Sequence, residues 1–266
     1  MDTISFLTDY GLADEFVGVC KSVIRQLAPQ VVVIDITHDI PVHDVRAGSL
    51  ALVRSVQYLA DGVVLAVVDP GVGTARKAIA IEAGERGEAF FVGPDNGLLA
   101  PAVAMLGGAR RAVVLSNAEH HLAAPGPTFA GRDIFAPVAA RLCAGVPFDD
   151  FGDAIDPAGL TPGMLPLTRV EEGVLHGEVL WVDRFGNAQL NVDPSEIDEL
   201  GDVVTVSFGS TSRTAHRAST YAEIRTGSIG LVVDSYGLVS VALDRRSASA
   251  ELGLGTGAGV RIEAAS

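Results

Sequence analysis

Two aspartates stand where short apolar runs of the sequence end. Asp9 follows the run from Ile4 to Leu7, and Asp69 follows the run from Val63 to Val68. Parallel strands bring their carboxyl ends to one edge of a sheet, where open α/β sheets bind ligands. Either aspartate alone is also explained as an Asx turn or a cap. Together at one edge they favour a functional site, and Arg76 follows Asp69 in the same segment.

The glycine-rich segment that begins at Asp69, with the sequence DPGVG, does not match a phosphate-binding loop. It lacks both the GxGxxG spacing and a Gly-Lys-Ser/Thr ending. The later segment GPDNG, at residues 93–97, is typical of a turn before a helix. Neither segment predicts nucleotide phosphate binding.

A cluster of two histidines and two aspartates resembles a metal site in composition: His38, Asp39, His43 and Asp44. Pro41 prevents a continuous helix that would place both histidines on one face, and no further ligand pair recurs downstream. We therefore expect no metal site. The pair at residues 120–121 is expected to be a solvated loop pair of histidines.

The segment TFAGRDIF, at residues 128–135, leads into a helical pattern. Asp133 lies near the predicted N-terminus of this helix, so capping alone would explain it. Arg132 is available to a carboxylate or to a substrate. The segment thus adds charged candidates to the two strand-end aspartates.

A second group of polar residues follows in the segment VDRFGN, at residues 182–187. A hairpin with a polar turn explains part of the pattern. Such a turn does not require Asp183, Phe185 and Asn187 together. The segment is therefore a second candidate binding region.

Two domains with different patterns must position these residues. Residues 1–165 alternate β-branched runs with helical patterns, which predicts an α/β domain with a mostly parallel sheet and helices on both faces. A proline-rich stretch at residues 147–166 indicates an interdomain connection. Residues 166–266 contain strands and turns, which predicts a small antiparallel barrel or sandwich.

Composition excludes several classes of partner. The chain has 266 residues, 33 acidic and 19 basic side chains, and a formal charge of -14, which disfavours nucleic acid and anionic membranes. The two cysteines are far apart and predict neither a disulfide nor a thiolate metal cluster. With no apparent signal peptide or membrane span, we expect a cytoplasmic protein.

Several motifs in order resemble the S-adenosylmethionine hydroxide adenosyltransferase family, whose relatives include fluorinating and chlorinating enzymes. The motifs are TDYG, DPGVGTAR, VGPDNG, TFAGRDIFAP, VDRFGN and ALDRRSASAELGL. The resemblance implies an N-terminal α/β/α layered domain and a C-terminal β-barrel. It also implies a homotrimer, with active sites between the N-terminal domain of one subunit and the C-terminal domain of its neighbour.

The resemblance further implies hydrolysis of S-adenosyl-L-methionine to adenosine and L-methionine, with no cofactor. Asp69 would accept a hydrogen bond from the attacking water, and Arg76 would orient Asp69 or stabilise hydroxide character. Asp9 would hold the ribose hydroxyls. In the second domain, Asp183 and Asn187 would engage the methionine end and adjoining parts of the substrate. The remaining positions, Phe185 and Arg245 near adenine and Gly131 beside residue 130, would enclose the ligand.

Ala130 departs from the family pattern, in which the hydroxide-using relatives carry a histidine. Alanine cannot relay a proton, so turnover is expected to fall by roughly 100-fold to 10,000-fold while substrate binding survives. Two alternatives follow. Halide transfer is one, helped by the space at Ala130 and Gly131, and a noncatalytic S-adenosylmethionine or adenosine binding module is the other. Asp69 opposes halide transfer, because a carboxylate about 4 Å from a halide costs about 4 kcal/mol at an effective dielectric constant of about 20.

Overall fold

The computed structural model describes residues 1–84, 87 and 89–265. The chain divides into two compact units, Met1–Met164 and Leu165–Ser266. In the described residues, no helix is both long enough and apolar enough to cross a lipid bilayer. Cys20 and Cys143 are both buried and unpaired.

The first unit is built on a central mixed sheet. Its strands, within the described residues, are β1 (Thr3–Thr8), β2 (Val32–Thr37), β3 (Val63–Val67), β4 (Ala78–Ala83), β5 (Ala89–Pro94), β6 (Ala109–Val114) and β7 (Ala154–Ile155). The order across the sheet is β2-β1-β3-β5-β4-β6-β7. The strands β2, β1, β3 and β5 are parallel, as predicted. The remaining pairs are antiparallel. The link from Ala83 to Ala89 is too short for a crossover helix, which accounts for the antiparallel pairing of β4 with β5.

Helices cover both faces of this sheet and make the predicted three layers. They are α1 (Phe16–Leu27), α2 (Val45–Ser55), α3 (Ala100–Met105) and α4 (Ala136–Cys143). The side chains of β1 alternate between the two faces: Ile4 and Phe6 join the core that contains α1 and α4, and Leu7 joins the core that contains α2 and α3.

The proline-rich stretch predicted as a connection contributes partly to the first unit. Phe148 and Phe151 are buried in its core. Strand β7 pairs with β6. Prolines break the hydrophobic periodicity of this stretch, but its two phenylalanines still pack into the core of the first unit. Periodicity alone does not predict this packing.

The second unit is a closed barrel. Its strands are β8 (Arg169–Glu171), β9 (Val174–Val182), β10 (Ala188–Leu190), β11 (Val203–Phe208), β12 (Thr211–Ala218), β13 (Ile229–Val233), β14 (Val239–Leu243) and β15 (Gly259–Ala264). The order is β10-β14-β13-β12-β11-β15-β9-β8, and the pairing of β10 with β9 closes the ring, with β8 outside it. This confirms the predicted barrel.

One strand pairing of the barrel differs from the prediction, and one strand was missed. Strand β12 pairs with β13 in parallel, so the barrel is antiparallel everywhere in the described chain except at this pair. Strand β12 itself was not predicted, because only Ala215 among its residues is fully buried and most of the others are polar. A short helix, α5 (Ala248–Leu252), also follows β14.

Candidate functional site

The two strand-end aspartates lie on neighbouring strands of the first unit. β1 and β3 pair in parallel, with Thr8 opposite Val67. Asp9 and Asp69 therefore emerge side by side at the carboxyl edge of the sheet, and both line one cavity of about 620 Å³. This is the edge at which α/β sheets bind ligands.

Asp69 and Arg76 form a bidentate ion pair. Arg76 Nε donates to Asp69 Oδ1 at 2.9 Å, and Arg76 Nη2 donates to Oδ2. The side chains are 5% and 12% exposed, so water screens the pair little. The guanidinium also lies 5.4 Å from the centre of the Phe135 ring. An ionised carboxylate has about four acceptor positions, so Asp69 can still accept a hydrogen bond from a water molecule.

The loop between these two residues folds back through successive turns. Val72 N donates to Asp69 O at 3.3 Å, and Thr74 N donates to Gly71 O at 3.1 Å. The Thr74 hydroxyl donates to the same Gly71 oxygen at 2.7 Å. These turns bring Arg76 back onto Asp69, so the glycine-rich segment allows the ion pair to form.

Asp9 is held by the start of the second helix. Its Oδ2 accepts a hydrogen bond from the backbone N–H of His43 at 2.9 Å. His43 has a φ of 67°, in the left-handed region, which aims this N–H at the carboxylate. Asp44 caps α2 by accepting from Ala47 N at 2.8 Å. His43 and Asp44 therefore have structural roles beside the cavity.

No metal cluster forms among the described residues: none of them groups three or more histidine, cysteine, aspartate or glutamate side chains in a way that could hold an ion. His38 is buried and hydrogen-bonds Thr8, whereas Asp44 caps α2. Asp39 donates its N–H to Thr37 Oγ1 at 3.1 Å. The four residues that resemble a metal motif thus each have a different hydrogen-bond partner.

The segment that follows Phe129 begins with one turn of π-helix, Gly131–Phe135, before α4. Such wide turns are frequent at functional sites. Gly131 faces Tyr10: a Cβ at position 131 would lie 2.2 Å from the tyrosine Oη. The glycine is therefore required by the packing of Tyr10 against the backbone.

Asp133 does not cap the helix as predicted. It accepts two hydrogen bonds from its neighbour Arg132, at 2.6 Å from Nε and 3.0 Å from Nη2. The Arg132 guanidinium also lies 5.0 Å from the centre of the Phe129 ring. Asp133 thus holds Arg132 at the rim of the cavity that contains Asp9.

An aromatic wall formed by Tyr10, Phe16 and Phe129 lines the same cavity. Tyr10 lies 5.7 Å from each of the other two rings, and Phe16 lies 5.0 Å from Phe129. Burial, reinforced by nearby acidic groups that include Asp9 and Asp69, raises the pKa of Tyr10 well above its ordinary value. The phenol therefore stays neutral and offers an apolar surface with one hydroxyl group.

A second cavity, of about 630 Å³, lies beside the first and is lined by Arg76, His121 and Asp133. Both cavities share Ala130 as a lining residue. The small side chain at position 130 therefore lies where the two cavities approach each other, and a larger side chain there would contact the contents of both.

The histidine pair at residues 120–121 is not a solvated loop pair, and the prediction was wrong. Both residues are half-buried. The ring of His120 packs 4.8 Å from that of Phe151. Burial and the neighbouring His120 lower the pKa of His121, so its imidazole is neutral near pH 7.

In the second unit, Asp183 and Asn187 bind each other within one turn. Asp183 Oδ1 accepts from the N–H groups of Phe185 at 2.9 Å and Asn187 at 2.8 Å. Asp183 Oδ2 accepts from Asn187 Nδ2 at 2.8 Å. Phe185, at the tip of the turn, is 80% exposed. The hydrogen bonds of Asp183 thus hold the turn, and the Phe185 ring projects from its tip into solvent.

The loop that contains Arg245 lies beside this turn. The N–H of Ser249 donates to Gly186 O at 2.9 Å. Arg245 has a φ of 53° and a side chain that is 96% exposed. The second unit therefore brings the predicted residues Asp183, Phe185, Asn187 and Arg245 to one end of the barrel.

The aromatic wall was missed by the sequence analysis. Tyr10 directly follows Asp9, and Phe129 lies in the motif of Ala130, so adjacency to candidate residues was a signal for both. Phe16 carries no comparable signal, because a phenylalanine at the start of a helix is ordinary core composition.

Family models match both units. The N-terminal domain model of S-adenosylmethionine hydroxide adenosyltransferases matches residues 4–152, and the C-terminal domain model matches residues 177–261. An (R)-S-adenosyl-L-methionine hydrolase from Salinispora tropica is 47% identical over 98% of this chain and 97% of its own length. The hydrolase of the same name from Thermus thermophilus is 40% identical, over 98% of this chain and 100% of its own.

More distant relatives include a fluorinase from an Actinoplanes species, 28% identical over 74% of each chain. Among solved structures, that of an uncharacterised conserved protein from Thermotoga maritima is similar with a TM-score of 0.90 and 36% identity, over 98% of this chain and 99% of its own. Since the family models cover most of both units, the chain is a member of the S-adenosylmethionine hydroxide adenosyltransferase family.

Proposed function

We propose that the protein hydrolyses S-adenosyl-L-methionine to adenosine and L-methionine by attack of water on the ribose C5′ carbon. The observation that carries the proposal is the buried Asp69–Arg76 pair, which adjoins the cavity lined by Asp9. Relatives that align over nearly the whole chain bear the name of this activity.

The chemistry requires little of the protein beyond alignment. A sulfonium leaves as a neutral thioether, so methionine departs without needing a proton. The new C5′–O bond forms as the C5′–S bond breaks, and the attacking water releases one proton. Catalysis then depends on an oxygen held in line with the departing sulfur and partly stripped of bulk water. No cofactor enters this balance.

Asp69 would accept a hydrogen bond from the attacking water. Arg76 holds both carboxylate oxygens, so the remaining acceptor positions of Asp69 have a fixed direction. Fixed dipoles in a water-poor site stabilise the charge that develops on the oxygen. Because Ala130 supplies no base, the proton must leave to solvent or to Asp69, which predicts slow turnover.

The rest of the first cavity suits the nucleoside part of the substrate. The Asp9 carboxylate can accept hydrogen bonds from the two ribose hydroxyls, since an ionised carboxylate accepts from several donors. The apolar wall of Tyr10, Phe16 and Phe129, which lines this cavity, would exclude water from the reacting carbon. Gly131 lets this wall approach the backbone closely.

We extend the proposal to the second unit and to assembly. Asp183 and Asn187 would engage the methionine end and adjoining parts of the substrate, and Phe185 and Arg245 would cover adenine. These roles belong to a homotrimer with active sites at subunit interfaces. Phe185 is 80% exposed, and the Arg245 side chain is 96% exposed. Such exposure in this unit supports a role in contacting a ligand or a partner subunit.

The test incubates the protein with S-adenosylmethionine in chloride and in chloride-free buffer and separates the products. Adenosine and methionine in equal amounts in both buffers support hydrolysis. A chloride-dependent 5′-chloro-5′-deoxyadenosine peak would instead assign halide transfer. Calorimetric binding with no product, even after Ala130→His, would assign a noncatalytic binding module.

A further inference from the structure

A buried chain of polar side chains lies directly behind Asp9. Thr8, the last residue of β1, has no exposed surface, and His38 is 4% exposed. The His38 and Phe6 rings pack nearly perpendicular to each other, with centres 4.9 Å apart. Polar groups in such a core are costly unless they are paired, so their partners indicate what they do.

The partners connect the surface to the turn that carries Asp9. Lys21 Nζ donates to Asp35 Oδ2 at 2.6 Å. Asp35 Oδ1 lies 3.1 Å from His38 Nε2, within ion-pair distance though poorly aligned for a hydrogen bond. Burial raises the pKa of Asp35, but the hydrogen bond and positive charge of Lys21, together with the nearby His38 ring, outweigh burial and lower the pKa overall. Asp35 is therefore ionised and attracts the Nε2 side of the imidazole.

The other side of the imidazole binds Thr8. Thr8 Oγ1 lies 2.8 Å from His38 Nδ1 and accepts a hydrogen bond from the backbone N–H of Tyr10 at 3.1 Å. With Nε2 protonated toward Asp35, Nδ1 accepts the hydroxyl hydrogen of Thr8. Every hydrogen bond then runs in one direction, from Tyr10 through Thr8 to His38.

His38 also holds the turn through its backbone. Its carbonyl oxygen accepts a hydrogen bond from Gly11 N at 2.8 Å, and Gly11 has a φ of 67° that few other residues adopt. The residues on the far side of Asp9 are thus fixed twice, at Tyr10 through Thr8 and at Gly11 directly. Together with the N–H of His43, these bonds leave the Asp9 carboxylate little freedom of direction.

We propose that Thr8 and His38 are positioning residues that fix the Asp9 carboxylate for the ribose hydroxyls, and so set the preference for ribose over 2′-deoxyribose substrates. The inference rests on the proposed function. An apolar pair of the same shape would fill this core without any need for hydrogen bonds. The hydrogen bonds from Tyr10 N to Thr8 and between Thr8 and His38 therefore indicate that the direction of the turn at Asp9 matters.

The test compares Thr8→Val, which keeps the shape and removes the hydroxyl, with Thr8→Ser, which keeps the hydroxyl. KM and kcat are measured for S-adenosylmethionine and for its 2′-deoxyribose analogue. We expect Thr8→Val to raise KM for the ribose substrate about tenfold with little change in kcat, to leave KM for the analogue nearly unchanged, and Thr8→Ser to restore the preference. His38→Gln, which can still accept from Thr8, should retain more of the preference than His38→Phe.

A purely structural role predicts a different pattern. In that case Thr8→Val would lower the melting temperature, but the ratio of the two KM values would match that of the unmodified protein, and the proposal would be overturned. If the unmodified protein forms no adenosine, the proposed function fails independently. The Kd ratio for the two ligands, measured by calorimetry, then tests the positioning role without turnover.

Discussion

Arg76 binds both carboxylate oxygens of Asp69, across a loop whose own turns bring the two residues together. Both side chains are nearly buried. A bidentate guanidinium fixes the plane of a carboxylate as well as its charge. The pair therefore gives the proposed water a directed acceptor, and it makes the stability of the first unit depend on both partners.

Removing one partner should destabilise the fold. We expect Asp69→Asn to lower the free energy of unfolding by about 3–5 kcal/mol, because it leaves the Arg76 guanidinium buried without its counter-charge. The control is Asp149→Asn, which breaks an ion pair with Arg111 whose aspartate side chain is 73% exposed. That change should cost at most about 1 kcal/mol. Urea unfolding measures both, and equal losses would contradict the account.

Restoring a base at position 130 should raise turnover. We expect Ala130→His to increase kcat for S-adenosylmethionine hydrolysis by about 100-fold to 10,000-fold, because an imidazole there could take the proton that the attacking water releases. The Kd for the substrate should change little. Ala130→Gln, similar in length but not basic, is the matched control. Equal rates in the three proteins would remove position 130 from the mechanism.

The contact between Gly131 and Tyr10 predicts a binding defect. In Gly131→Ala the new Cβ would meet the tyrosine Oη at 2.2 Å, so the ring must shift toward the cavity. We expect the KM for S-adenosylmethionine to rise about tenfold or more. Gly18→Ala, in α1, is the control, because a Cβ added there would meet open space. It should stabilise the helix by about 0.5–1 kcal/mol. A Gly131→Ala protein with unchanged KM would show that the tyrosine yields elsewhere.

The lowered pKa of His121 predicts a loss of stability in acid. Its ordinary value is 6.5, and burial lowers the pKa in the folded protein. Below about pH 6.5 the unfolded chain binds a proton at His121, whereas the folded protein does not until the pH reaches its lower pKa. The free energy of unfolding therefore falls from about pH 6.5 down to the pKa of the folded protein. We expect His121→Gln to reduce the fall in melting temperature between about pH 7.5 and about pH 5.5. A fall of the same size in His121→Gln and in the unmodified protein would contradict this explanation.

The sequence was sufficient for the features that depend on periodicity and strand ends. Asp9 and Asp69 could be placed together because parallel strands share an edge, and the helices on both faces follow from alternating patterns. It was insufficient for β12 (Thr211–Ala218), where a mostly polar surface hides a strand whose pairing is set by its neighbours. Local patterns do not encode which strands meet when a barrel closes.

The candidate site shows the same division. Ala130 and Gly131 stand in a motif, but the reason for the glycine is Tyr10, which is remote in sequence and reaches position 131 only in the folded chain. Asp133 was expected to cap a helix, and its carboxylate instead holds Arg132. Side-chain partners that are chosen by geometry were therefore the part that the sequence could not predict.

The route of the water oxygen tests the central claim most directly. The protein is incubated with S-adenosylmethionine in H₂¹⁸O, and the adenosine product is analysed by mass spectrometry. Attack at C5′ predicts one ¹⁸O atom in the 5′-hydroxyl group of adenosine and none in methionine. Adenosine without the label, or a label found in methionine, would contradict the proposal that Asp69 directs water to the ribose carbon.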